Sequence, residues 1–187
     1  MAKSLYLKID GPPLEGESEA AGYEKQIEVL SFKHGIKLIT GDESQDDSNE
    51  GGQKKGAVVG QSKHAPFEIE KFVDRTSPKL SRWCSRGVHI DEVTLSVVRA
   101  MGGEGGKRER FLKYKLEKCR VISVALDGSA DPVAKETIAF DYRMITWTYE
   151  AMGKGKSPHR SKEFWDKEKP EYERKIPKAP PPPGRGR

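Results

Sequence analysis

The stretch Pro66–Ala100, PFEIEKFVDRTSPKLSRWCSRGVHIDEVTLSVVRA, limits the fold more than any other part of the chain. Phe67, Ile69 and Val73 alternate with Glu68, Glu70 and Phe72, the period of a half-buried strand. Thr76-Ser77-Pro78 then predicts a helix start, with Ser77 as the cap and Pro78 at the first helical position, where an N–H would be wasted. Leu80, Trp83 and Cys84 share one apolar stripe, Lys79, Arg82 and Arg86 fall on the wet side, and Gly87 stops the helix. Val93, Leu95 and Val97 then alternate with Thr94 and Ser96 as a second strand. A helix of about ten residues is not stable alone, so it must plug a β-structure.

The same alternation recurs along the chain. Leu5, Leu7 and Ile9 open it as a strand, which Asp10-Gly11-Pro12-Pro13 ends. Lys25–His34 predicts one strand with mixed faces, as where one side is core and the other is half covered by a partner subunit. Met101–Gly106 is a glycine-rich turn between two strand patterns, hence a hairpin; it lacks the helix and the Lys-Ser/Thr of a phosphate-binding loop. Arg108–Leu126 predicts a long strand, kinked near Glu117-Lys118, with Leu112, Tyr114 and Leu116 inward and Val121 or Val124 after a parity slip. In the last strand, Glu136–Tyr149, Ile138, Phe140, Tyr142 and Met144 share a face and Ile145, Trp147 and Tyr149 take the other, which predicts a bulge near Arg143–Met144. The expectation is a mainly β domain over residues 1–152, with one short helix at its side.

Two polar segments skew the composition. Gly41–Gly56 has no apolar residue and carries five acids (Asp42, Glu43, Asp46, Asp47, Glu50) and two lysines, so it reads as a mobile loop, and Val58-Val59 as a weak strand after it. Residues 153–187 are charge, proline and glycine, with Phe164 and Trp165 as lone apolar anchors, and read as a disordered tail. That tail holds eleven lysines and arginines against five acids, a net +6; of the chain's +5, the body therefore carries −1. A near-neutral body lacks the basic face that nucleic acid would need. No apolar run resembles a leader or a membrane span. Cys84 and Cys119, without CxxC spacing, read as free and Cys84 as a small hydrophobe.

The residues give no catalytic set, cofactor motif or metal site. Ser77, His89 and Asp91 invite a triad, but Ser77 is spoken for as a cap and no oxyanion donor can be named. His89 and Asp91 offer two metal ligands without a third. The acids of the 41–56 loop do not fall at the spacing of a calcium loop.

A long ordered set of residues carries a resemblance. Tyr6-Leu7-Lys8-Ile9-Asp10-Gly11, Gly16-Glu17-Ser18 and Ile27-Glu28-Val29-Leu30-Ser31-Phe32 are similar to the Hcp family, the tube protein of bacterial type VI secretion systems. Phe72-Val73-Asp74, Ser77-Pro78-Lys79-Leu80, Cys84, Gly87, Gly102-Gly103, Pro132-Val133 and Ile145-Thr146-Trp147-Thr148-Tyr149 continue it, over residues 4 to 150. The resemblance implies a small two-sheet β-barrel with a side helix, assembling as a homo-hexameric ring. Rings stack into a tube, are expelled to the medium or target cell without a signal peptide, and hold effector proteins in the lumen; sheath and spike components are the further partners. It places Ser31 and Lys33 on the lumen wall and Asp42, Glu43, Asp46, Asp47 and Glu50 in a ring-stacking loop. At Lys33-His34 the family usually has a small polar residue and an aromatic before the glycine, here Gly35. The tail after Met152 falls outside the resemblance. The competing reading is a non-catalytic β-barrel that binds single-stranded nucleic acid or an acidic partner through the basic tail; a hydrolase using Ser77 and His89 is weaker still.

Overall fold

The computed structural model describes residues 3–39, 61–100, 108–128, 134–153 and 156–168. The acidic loop 41–56, Val58-Val59 and the 101–106 turn lie outside the described residues, as does the tail beyond residue 168.

Ten strands and one helix follow in chain order among the described residues: β1 (Lys3–Asp10), β2 (Ile27–Val29), β3 (Ser31–Lys33), β4 (Ile36–Ile39), β5 (Gln61–His64), β6 (Phe67–Phe72), α1 (Ser77–Arg86), β7 (His89–Ala100), β8 (Arg108–Asp127), β9 (Lys135–Gly153) and β10 (Lys156–Asp166). Eight form one antiparallel sheet in the order β2-β1-β7-β8-β9-β6-β3, with β10 also on β9. β4 and β5 make a separate ribbon that prolongs the β3–β6 hairpin past Gly35, where Ala65 N–H donates to Gly35 O at 2.9 Å.

The ends of this sheet, β2 and β3, are separated by one residue. Lys25–His34 is therefore not a single strand. Ile27 and Val29 are buried on β2, whereas on β3 Phe32 turns inward and Ser31 and Lys33 are exposed. Leu30 is the corner, its N–H donating to Glu70 O at 2.7 Å, and its turn curls the sheet into a nearly closed barrel. The mixed faces of the sequence arise from this parity change. Inside sit Leu7, Ile9, Ile27, Phe67, Ile69, Ile90, Val93, Leu95, Leu116, Ile138, Phe140 and Ile145, all at most 1% exposed. Burying each contributes about 1.5–3 kcal/mol relative to leaving it in water.

Helix α1 packs Leu80 and Trp83 onto this core, with Cys84 at its margin, and Gly87 ends it at φ +61. Its start differs from the expectation. Thr76 occupies the cap position without a side-chain cap bond, and Pro78 sits one residue inside the helix that begins at Ser77. Asp74 does the anchoring instead, accepting from the Thr76 N–H at 2.8 Å and the Thr76 hydroxyl at 2.5 Å. Ser77 turns inward to a buried ion pair.

The long hairpin behaves as its sequence pattern suggests at one point and differently at another. Lys118 adopts φ +54 at the expected kink, and the inward set passes from Leu116 to Cys119 and Val121. On β9 the inward set passes from Tyr142 to Ile145 at the same level, since Glu117 pairs with Met144 and Cys119 with Tyr142. Both strands change face together, so no register is lost at Arg143–Met144; the slip lies between Val121 and Ser123. Burial raises the Cys119 thiol to about 12, which keeps it an inert hydrophobe.

Residues 156–166 correct the expectation of a disordered tail. They pair with β9, Trp165 opposite Ile145 and Phe164 opposite Thr146. Trp165 packs against the core, and Lys167 N–H bonds Arg143 O at 3.0 Å. The segment is polar because one side of it is wet, but the free edge of β9 beyond β6 supplies its backbone partners.

A loop of residues 11–26 is held over the barrel end by one close approach. Gly16 N–H donates to Lys25 O at 2.7 Å, and a Cβ on Gly16 would stand 2.3 Å from Gln26 O. Glu17 then accepts from the Arg75 N–H at 3.1 Å, and the Arg75 guanidinium donates to Gly16 O. Gly16-Glu17-Ser18 thus ties this loop to the entry of α1.

Candidate assembly and cargo surfaces

Ser31 and Lys33 lie on the outward face of the barrel where β3, β6, β9 and the end of β8 run side by side. Phe32 between them points inward and stacks on Phe67 at 5.9 Å. Ser31 Oγ donates to Glu70 at 3.0 Å, Lys33 stands opposite Glu68, and Lys135 reaches Glu70 at 3.4 Å. Across the sheet, Glu70 pairs with Thr137 and Glu68 with Ala139, which in turn adjoins Ser123. The result is a wall of small hydroxyls with glutamates and lysines in alternation. Such a surface suits polar contact. Asp42, Glu43, Asp46, Asp47 and Glu50 lie outside the described residues.

Large apolar side chains remain exposed at separate places on the molecule. Leu30, Phe72 and Val73, each 41–44% exposed, border a cavity of about 670 Å³ with Leu5, Tyr6 and Val29. Ile36 and Leu38 stand out on the β4–β5 ribbon, Ile122 and Leu126 at the far end of β8, and Phe164 on β10.

Ser77 is sealed in a buried polar cluster at the root of α1. Lys71 Nζ, fully buried, forms an ion pair with Glu136 at 2.7 Å and donates to Asp74 at 2.7 Å, to Phe72 O at 3.0 Å and to Ser77 Oγ at 3.2 Å. Ser77 Oγ donates to Glu136 at 2.6 Å and accepts from the Asp74 N–H at 3.1 Å. Burial pushes Asp74 up, yet the bonds from Lys71 and Thr76 prevail and hold it below the usual carboxylate range. His89 pairs with Asp91, at 3.6 Å on the surface, and the structure does not bring Ser77 and His89 together. A buried hydroxyl that donates to Glu136 and accepts from Lys71 and the Asp74 N–H is a structural pin. Sequence reading overlooked Lys71 and Glu136. Their signal is positional, since both take the inward parity of strands whose other inward residues are apolar.

A second overlooked group holds the ribbon. His34 and His64, at the two sides of the hairpin bend, both reach the buried Tyr142 hydroxyl, at 2.6 Å from Nε2 and 3.0 Å from Nδ1. His64 also stacks on Trp165, centroids 5.8 Å apart and planes 12° apart. Lys167 Nζ sits 3.8 Å over the Tyr142 ring and pairs with Asp141 at 2.9 Å. Burial lowers both imidazole pKa values, helped at His34 by His64 and at both by Lys167; burial raises that of Tyr142. The cluster is a neutral hydrogen-bonded knot.

Comparison with known proteins agrees on one family. Residues 6–149 match the family model described as type VI secretion system effector, Hcp. The major exported protein of Pseudomonas aeruginosa is 27% identical over 145 residues, spanning 74% of this chain and 77% of the relative. Among solved structures, one titled as a type six secretion system protein superposes with a TM-score of 0.71 at 25% identity, covering 88% of this chain and 96% of its own. Hcp1 of Salmonella typhimurium shares the fold, with a TM-score of 0.68, 24% identity and coverage of 91% and 98%.

Proposed function

Since the chain belongs to the Hcp family of secreted type VI tube proteins, we propose that it is a non-catalytic tube subunit whose hexameric rings stack and carry effector proteins against the Ser31–Lys33 wall. The observation that carries the reading is the separation of its exposed apolar side chains. A cyclic ring of identical subunits needs two different patches that meet head to tail. The Leu30–Phe72–Val73 surface and a second group among Ile36, Leu38, Ile122, Leu126 and Phe164 supply candidates for the two. A monomer would leave both sets in water. The Ser31–Lys33 wall, small and of mixed charge, suits loose contact with varied cargo, and Lys33 in place of the family's usual small residue narrows what is accepted. Sheath and spike components of the apparatus complete the partners, and export proceeds through that apparatus.

Native mass and negative-stain imaging of the purified protein test this directly. A six-fold ring at micromolar concentration is expected. A monomer that shifts a single-stranded oligonucleotide at low salt would replace it with the nucleic-acid reading.

A further inference from the structure

On a different flank from Ser31, strands β1, β7 and β8 floor a cavity of about 410 Å³ roofed by residues 21–23. Tyr23 stacks on Tyr6 with centroids 4.5 Å apart, which fixes that roof. The floor is made by the hydroxyls of Thr94 and Ser96, buried residues on the outer face of β7. The cations around it divide into two kinds. At one end, Lys8 pairs with Asp10 at 2.8 Å, and Lys115 pairs with Glu92 and Glu117 at 3.0 and 3.1 Å. That end is neutralised. At the other, Lys113 makes no ion pair among the described residues and Arg110 is poorly served. Its terminal nitrogen meets Glu150 only at 3.5 Å, and its Nε is buried without a hydrogen-bond partner. Arg160 draws on the same Glu150, also at 3.5 Å. Two guanidiniums thus share one carboxylate at 3.5 Å, and Lys113, whose charge Glu92 supports, stands beside them at an open cavity. Burial, with Arg110 next and Glu92 opposing, holds the Lys113 amine below its ordinary range.

We propose that this cavity binds a carboxylate presented by an acidic protein segment, seated between Lys113 and Arg110 over the Ser96 hydroxyl. The planar guanidinium suits a carboxylate's two oxygens, and an incoming acceptor lets Arg110 re-aim and end the isolation of its Nε. Only one end of the cavity is short of anions, so a single anchoring carboxylate is called for rather than a run of them. The assignment does not rest on the ring.

The test uses the full chain and an amidated Gly-Ser peptide that carries one glutamate and a neutral dye, followed by fluorescence anisotropy at low and at physiological salt. Lys113→Gln and Arg110→Gln should each weaken binding about tenfold, whereas Lys63→Gln and Arg86→Gln, exposed on the β5 ribbon and on α1, leave it unchanged. The amine resonance of Lys113 should shift as peptide is added to the unaltered protein, which reads the site even where a variant folds poorly. Equal weakening by all four substitutions would reduce the effect to general basicity and overturn the site. So would inorganic phosphate moving the Lys113 resonance when the peptide does not.

Discussion

His34 Nε2 lies 2.6 Å from the Tyr142 hydroxyl, and His64 closes on the same oxygen from across the hairpin. One hydroxyl can donate to one imidazole and accept from the other, so the knot requires at least one neutral histidine. Both imidazole pKa values lie below the ordinary 6.5 in the folded chain. The unfolded chain therefore takes up protons first as pH falls. Stability that is fully present above about pH 6.5 is lost as pH drops through the lowered folded values. Thermal melts at pH 7.5 and 5 should show a fall in melting temperature that His34→Gln with His64→Gln reduces. The same fall in the double variant would show that other groups carry it.

Lys71→Met should destabilise the domain by about 3–5 kcal/mol, because Glu136 is left charged and buried. Replacing Glu136 with leucine in the same chain should recover most of that loss. Denaturant midpoints of the two variants and the parent decide the matter. A single variant as stable as the parent would mean that Glu136 is not held as an ion.

Two truncations separate the contribution of β10 from that of the residues after it. Ending it after Gly153 strips β10 from β9 and uncovers the core beside Trp165, so the melting temperature should drop by several degrees and soluble yield should fall. Removing only residues 169–187 takes away charge and proline with almost no apolar area, and should leave melting unchanged. Equal melting of both truncations would mean that β10 contributes nothing to the barrel.

Lys33→Glu puts a third acid beside Glu68 and Glu70 on the outward wall. Rings should assemble with unchanged mass while the set of co-purifying effectors changes. Dissociation of the ring by this one substitution would place Lys33 at a subunit boundary.

In the proposed hexameric ring, six copies of the 41–56 segment, each with five acids against two lysines, would carry about −18. Two such sets of charge repel at close range, screened beyond about 8 Å at physiological salt. Rings should therefore stack head to tail, and more readily as salt rises. Exchanging residues 42–50 for a Gly-Ser linker should remove that salt dependence in sedimentation. Stacking that is indifferent to both salt and the loop would leave the segment without this role.

Period-two alternation and the Ser77-Pro78 to Gly87 bracket made the strands and the helix readable in advance. Corners were harder to read. Leu30 divides what looks like one strand because the sheet must return on itself, a demand set by the whole barrel and not by its neighbours. Lys71 and Glu136 look like surface residues until the strands that carry them are paired. His34 and His64 are thirty residues apart and mean little until Tyr142 stands between them. For β10, composition misled. Eleven polar-leaning residues gave no periodic signal, while the vacant edge of β9 that orders them belongs to another part of the chain.

Strand β9 runs for nineteen residues, pairs along one edge with β8, and on the other takes first β6 and then β10. A pull along its axis would load these hydrogen bonds together in shear rather than one after another, as rivets along a seam share a strain. A peel across the same strand would instead open it bond by bond.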